Sequence, residues 1–156
     1  MKQAEKAKII IKELNKIYPK TSIPLNYKNT FTLLISVLLS AQCTDVNVNN
    51  VTKSIYLKYY KPKHFVKLGR RKIEQLIKRI GIFRIKAKSI FNLSKILVEK
   101  YNSKVPKTFD ELEHLPGVGH KTASVVMSQG FGYPAFPIDT HIHRLAQRWG
   151  LTNGKN

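Results

Sequence analysis

Apolar side chains recur along this chain at intervals of three and four residues, and a proline or glycine interrupts each run, a rhythm that helices satisfy and strands do not. Ala4, Ala7, Ile10, Ile11, Leu14 and Ile17 form the first stripe, which Pro19 ends. Pro19 to Asn29 reads as loop. Phe31 to Ala41 is apolar nearly all round, as a helix at the centre of a bundle would be, with Asn29 or Thr30 placed to cap it. The next helix starts at Thr44 or Asp45, carries Val48, Val51, Ile55 and Tyr59 on one face, and is stopped by Pro62.

Ile73, Leu76, Ile77 and Ile80 give a further stripe, with Gly81 standing where a left-handed C-terminal cap is wanted. Ala87, Ile90, Phe91, Ser94, Leu97, Val98 and Tyr101 repeat the pattern and end before Pro106. Thr108 and Glu111 have the spacing of a capping box at the start of a short helix that ends at Leu115-Pro116-Gly117. After Gly119 a helix of small and branched residues runs to Gly130, and Pro134 and Pro137 hold the following connection extended. Asp139 opens the last helix, with Ile142, Leu145, Ala146 and Trp149 as its stripe and Gly150 as its close. No alternating strand pattern, internal repeat or low-complexity tract interrupts this, so the expected class is all-α with about ten helices and short connections.

Charge narrows the partner. The chain carries 28 Lys and Arg against 9 Asp and Glu, a formal charge of +19, which repels itself unless a polyanion is the usual neighbour. Nucleic acid is the first candidate and a membrane surface the second, but the charge is spread along the chain instead of gathered on one amphipathic segment. A lysine-rich genome would give the same total, so motifs must decide. The most apolar window, Phe31 to Ala41, is broken by Thr32, Ser36 and Ser40 and is about half the length a bilayer needs. Met1 to Lys6 leads into no apolar stretch of signal-peptide length. One cysteine, Cys43, excludes an internal disulfide or a cysteine-built zinc or iron–sulfur site within these residues. The expected location is therefore cytoplasmic and, given the charge, nucleoid-associated.

The most informative stretch is Leu115-Pro116-Gly117-Val118-Gly119-His120-Lys121-Thr122-Ala123, set between two short helices. Two glycines let the backbone turn tightly and approach a partner, while the amides of the following helix point outward at an anion such as a DNA phosphate. Contacts of that kind position a protein on a duplex without reading sequence. A second segment, Phe136-Pro137-Ile138-Asp139-Thr140-His141-Ile142-His143-Arg144, sets an acid at a helix start, where Asp also serves as an ordinary cap. A third is Leu38-Leu39-Ser40-Ala41-Gln42-Cys43-Thr44-Asp45. His141 and His143, two apart, fall on different helix faces and do not read as a metal pair.

Together, and in this order, the three segments resemble the endonuclease III family of helix-hairpin-helix base-excision DNA glycosylases. The resemblance implies a six-helix barrel over 22–131, with the helix-hairpin-helix at about 109–130, and a second domain from 1–21 with 132–156. It implies that Lys121 is the amine that attacks C1′ of the sugar bearing a damaged base and that Asp139 is its acidic partner. Such an amine must lose its proton near neutral pH, which desolvation, neighbouring positive charge or a helix N-terminus favours. An ionised Asp139 would stabilise oxocarbenium character as the base departs. Gln42 would enter the gap left by the flipped nucleotide, and Ile82 would act as an apolar wedge. Leu115, Gly117, Val118, Gly119 and Thr122 would meet the DNA with the hairpin.

The family's pattern continues past Asn156 with further helices and the cysteines of a 4Fe-4S cluster. The resemblance therefore implies a C-terminally truncated chain, no cofactor bound by these residues, and a cluster only if a further segment supplies it. The last helix would then lose packing partners and expose its stripe. The expected partner is double-stranded DNA containing damaged bases or abasic sites, with no membrane, and the expected state is a monomer. The expected activity is that of a DNA glycosylase and abasic-site lyase acting on damaged pyrimidines. A non-catalytic DNA-binding remnant is the alternative from another class. Adenine-mismatch glycosylases, which generally lack the lysine at 121, and oxidised-guanine glycosylases, which keep it, are the alternatives within the superfamily.

Overall fold

A computed structural model describes residues 1–19, 23–135 and 140–153. The described residues form nine α-helices and one π-helical turn, with no strand among them. No helix among them is long and apolar enough to cross a membrane. The contacts separate two compact units, Pro24–Pro137 and a unit of Met1–Ile23 with Ile138–Asn156.

The larger unit is organised around α2 (Thr30–Ser40), in which every residue from Phe31 to Leu39 is buried. Asn29 caps it by accepting from the Thr32 amide, and Thr32 Oγ1 in turn accepts from the Asn29 amide at 2.9 Å. The polar groups that α2 carries inward are paired. Ser36 Oγ donates to the Asn26 carbonyl at 2.7 Å and lies 2.7 Å from the Tyr56 hydroxyl, which reaches the Thr32 carbonyl at 3.1 Å. α3 (Asp45–Lys58), α6 (Phe83–Lys100), α8 (His120–Val125) and the π turn (Val126–Gly130) pack against α2. Gly130 allows the last approach, since a Cβ there would stand 3.1 Å from Thr30 and 3.3 Å from Leu33.

Pro62 does not simply stop a helix. α3 ends at Lys58, and Pro62 occupies the first turn of α4 (Pro62–Leu68), where its missing N–H is no loss. Gly69, at φ +78, turns the chain from α4 directly into α5 (Arg70–Leu76), and both pack on α6. α7 (Phe109–Glu113) is capped by Thr108, although Glu111 accepts from the threonine hydroxyl (2.8 Å) and not from the backbone donor of a standard capping box.

In the smaller unit, α1 (Gln3–Ile17) has no fully buried residue, with Ile9, Ile11 and Ile17 each more than half exposed. α9 (Thr140–Arg148) closes through Gly150, whose φ of +65 brings the Leu151 amide onto the Ala146 carbonyl at 2.9 Å. Leu145 and Trp149, two members of its apolar stripe, are 40% and 39% exposed.

Candidate nucleic-acid interface

The hairpin joins α7 to α8 through a turn whose side chains divide inward and outward. Leu115 and Val118 are 3% and 5% exposed, so they anchor the turn in the core, and only their backbone can face a partner. Val118 N–H is already bonded to the Leu115 carbonyl at 3.2 Å. Gly117 adopts φ +77 and lies so close to its neighbours that a Cβ would meet Ser89 Cβ at 2.7 Å and Leu38 Cδ1 at 3.1 Å. Gly119 differs in both respects: its backbone (φ −92, ψ 179) suits any residue, and nothing lies within 4 Å of a Cβ built there. Gly117 serves the fold, and Gly119 leaves open space on the exposed side.

Lys121 follows in the first turn of α8, exposed, and Thr122 is half-buried. His120 Nδ1 meets Glu113 Oε1 at 2.5 Å across the hairpin, and its ring stacks on Phe109 at 5.4 Å. At the end of α7, the Asp110 carbonyl, hydrogen-bonded to His114, raises the histidine's pKa, and the Asp110 carboxylate adds to the effect.

Beyond the C-terminal end of α2 the chain passes through Ala41 into Gln42, exposed and held at φ +54. Ile82, 50% exposed, has φ +53 and is the N-cap residue of α6. The expectation of a left-handed Gly81 is thereby corrected. Gly81 has no positive φ, and a Cβ on it would stand in ordinary contact, 3.8 Å from the Gln42 carbonyl oxygen, while the branched Ile82 takes the left-handed position. Such a conformation costs a non-glycine residue roughly 1–3 kcal/mol and persists only where its surroundings impose it.

Those surroundings are visible. Lys86, 5% exposed, donates from Nζ to the Leu39 carbonyl at 2.9 Å and the Ala41 carbonyl at 2.6 Å. Burial lowers its pKa, an effect that Cys43 partly offsets. Asn47 Nδ2 reaches Cys43 Sγ at 3.2 Å and the Arg79 carbonyl at 3.1 Å. Gln42, Ile82 and the hairpin therefore gather at one end of α2: Leu38 and Ser89 support Gly117, and Leu39 and Ala41 are tied to the helix whose N-cap is Ile82. Arg79 and Arg84 flank the Ile82 turn in sequence.

Asp139 lies outside the described residues, as do Phe136, Pro137 and Ile138. His141 and His143 are on α9 of the smaller unit. A cavity of about 330 Å³ lined by Tyr60, Lys61, Lys104 and Phe131 opens at the N-terminal end of α2 and includes none of the expected site residues. With α2 running 11 residues, that is about 16 Å along the helix from Gln42. No group of three or more His, Cys, Asp or Glu side chains that could hold a metal occurs among the described residues. With Cys43 as the only cysteine, the residues present do not fit a four-thiolate cluster.

Sequence reasoning missed Lys86, Asn47 and Ser89. A signal existed for the first: Lys86 precedes Ile90 by four and Leu93 by seven, which puts a cation on a core stripe.

Residues 35–156 match the family described as HhH-GPD superfamily base excision DNA repair protein. Endonuclease III of Bacillus subtilis (strain 168) is 44% identical over 144 residues, which cover 92% of this chain and 66% of the relative. Endonuclease III of Escherichia coli (strain K12) is 41% identical over 156 residues, covering 100% and 74%. The chain thus spans about two thirds to three quarters of the length of these curated relatives. A structure of a trapped endonuclease III–DNA covalent intermediate superposes with a TM-score of 0.92 at 42% identity, over 100% of this chain and 73% of that one. A hairpin that packs one glycine on Ser89 and Leu38 and leaves another facing open space, in a chain matched over most of its length, leads to one assignment: the chain belongs to the HhH-GPD superfamily of base excision DNA repair proteins.

Proposed function

We propose that this chain is a DNA N-glycosylase with abasic-site lyase activity that acts on damaged pyrimidines in double-stranded DNA at the nucleoid. The observation that carries the reading is the convergence of the hairpin, Gln42 and Ile82 at one end of α2. It occurs in a chain 42% identical, along its whole length, to one trapped in covalent union with DNA.

In this reading backbone groups near Gly119 receive a phosphate, and the surplus of positive charge supplies affinity that falls as salt rises. The target nucleotide leaves the stack, with Gln42 entering its place beside Ile82. Lys121 Nζ attacks C1′, the glycosidic bond breaks, and the base departs with its electron pair and takes up a proton. Ring opening gives an iminium between Nζ and C1′. Loss of a C2′ proton then expels the 3′ phosphate by β-elimination, and water releases the lysine. Asp139, as a carboxylate, stabilises positive charge developing on the sugar and moves protons around the amine. No step passes through a metal or cluster.

The test is borohydride reduction during incubation with duplex DNA carrying an abasic site, followed by denaturing electrophoresis. A covalent protein–DNA band and strand nicking are expected, with both lost in Lys121→Ala and strongly reduced in Asp139→Asn. A band that persists in Lys121→Ala would overturn the assignment of the nucleophile. Tight binding of the wild-type chain with neither band nor nick would leave a DNA-binding module.

A further inference from the structure

Gln42 and Ile82 sit on separate segments, yet the same buried contacts hold both. Ile82 is the N-cap residue of α6, and the Lys86 amide closes the first turn of that helix onto the Ile82 carbonyl at 3.1 Å. The side chain of Lys86 then crosses to the Leu39 and Ala41 carbonyls, the second belonging to the residue before Gln42. Asn47 makes the reverse crossing, from the start of α3 to Cys43, the residue after Gln42, and to the Arg79 carbonyl ahead of Ile82. One turn is thus clasped on both sides of Gln42 to the segment on both sides of Ile82.

We propose that Lys86, assisted by Asn47, is a positioning residue that locks Gln42 and Ile82 into a single rigid two-pronged wedge, so that lesion recognition depends on a cation that never touches DNA. The inference rests on the reading of Gln42 and Ile82 given above. At 5% exposure Lys86 is closed off from a nucleic acid, so it acts through what it holds. A space-filling role would be served by Leu or Met without the cost of burying an ammonium. What those residues cannot supply is a pair of donors for two carbonyls freed at a helix end, one of which leads straight into the left-handed Gln42.

The test uses the full chain, a duplex with a tetrahydrofuran abasic analogue opposite 2-aminopurine, and the matching undamaged duplex. Dissociation constants for both are measured by anisotropy below the melting temperature of the least stable variant, and 2-aminopurine fluorescence reports insertion. Gln42→Ala and Ile82→Ala are expected to cut the preference for the abasic duplex roughly tenfold. Lys86→Met is expected to cut it by a similar factor and Asn47→Ala by about threefold, with undamaged-duplex affinity within about twofold of wild type. Because the residues act as a unit, Lys86→Met and Asn47→Ala should add little in the Gln42→Ala background. A part confined to fold stability would lower the melting temperature and leave preference and fluorescence unchanged. That outcome, or full additivity with Gln42→Ala, overturns the proposal while the wedge reading stands. If Gln42→Ala and Ile82→Ala both leave the preference intact, the wedge reading falls and takes the proposal with it, while borohydride trapping of the wild type reports separately on the enzyme. Should Lys86→Met fail to fold, Asn47→Ala decides alone.

Discussion

Two glycines two positions apart in the hairpin should respond oppositely to the same substitution. In Gly117→Ala the new methyl meets Ser89 Cβ at 2.7 Å and Ser89 Oγ at 2.8 Å, where carbon pairs rest near 3.5–4.0 Å. Ser89 lies in the interior of the 18-residue α6 and cannot swing its Cβ away, so the overlap costs about 1–3 kcal/mol. The φ of +77 adds about 1–2 kcal/mol for a residue with a Cβ. The total of about 2–5 kcal/mol corresponds to a fall in melting temperature of roughly 4–20 °C for a chain of this size. Gly119→Ala meets nothing within 4 Å at an unstrained φ of −92, so its melting temperature should match wild type or rise slightly as the unfolded chain loses freedom. Its affinity for duplex DNA should instead drop roughly tenfold, because the methyl occupies the space through which a phosphate approaches. Thermal unfolding and anisotropy on both variants give the comparison. In a Ser89→Gly background, Gly117→Ala should retain only the backbone part of its penalty. Equal destabilisation by the two alanines, or wild-type DNA affinity in Gly119→Ala, would refute this division of labour.

The Ser94 hydroxyl is buried with no hydrogen-bond partner among the described residues, so Ser94→Ala should stabilise the chain by about 1 kcal/mol in urea unfolding. A loss of stability on that change would mean the hydroxyl is satisfied. Burial raises the pKa of Tyr56 above its ordinary 10.0, with the Ser36 hydrogen bond opposing in part. The folded chain therefore holds this proton after the unfolded chain has released it, and stability should decline as pH rises above about 10. Tyr56→Phe should remove that contribution to the slope, which unfolding at pH 9 and pH 11 would show.

Much of the larger unit was legible because local signals and tertiary packing agree there. Of the two residues offered as caps, Asn29 caps α2; α3 starts at Asp45, one of its two expected starts; and the nine-residue hairpin string forms the turn after one short helix and the opening of the next. Reading failed where a residue's local preference yields to a neighbour distant in sequence. Gly81 is the better left-handed residue, yet the left-handed conformation falls on Ile82, between the Arg79 and Lys86 contacts that reach across to the Gln42 turn. Pro62 carries the same local signature whether a helix has ended or another begins. The π turn at Val126–Gly130 ends where Gly130 packs closely on Thr30 and Leu33, a contact that no window of sequence contains.

The same distinction explains why Gln42 and Ile82, the proposed wedge, were easier to single out than the groups that hold them. Gln42 and Ile82 are exposed, so packing imposes little on their identity and a motif can name them. Lys86 and Asn47 matter through four contacts that span 45 and 47 residues on one side and 4 and 32 on the other. Their effect is mechanical: α2 is buried from Phe31 to Leu39 and cannot tilt without opening the core, so whatever is fastened to its end inherits its stiffness. A base-extruding wedge needs that stiffness, since force applied to a stacked duplex would otherwise bend the prong and not the DNA. The hairpin gains the same footing through Leu38, which makes the end of α2 the common mounting for the groups that would grip the phosphate and the groups that would fill the gap.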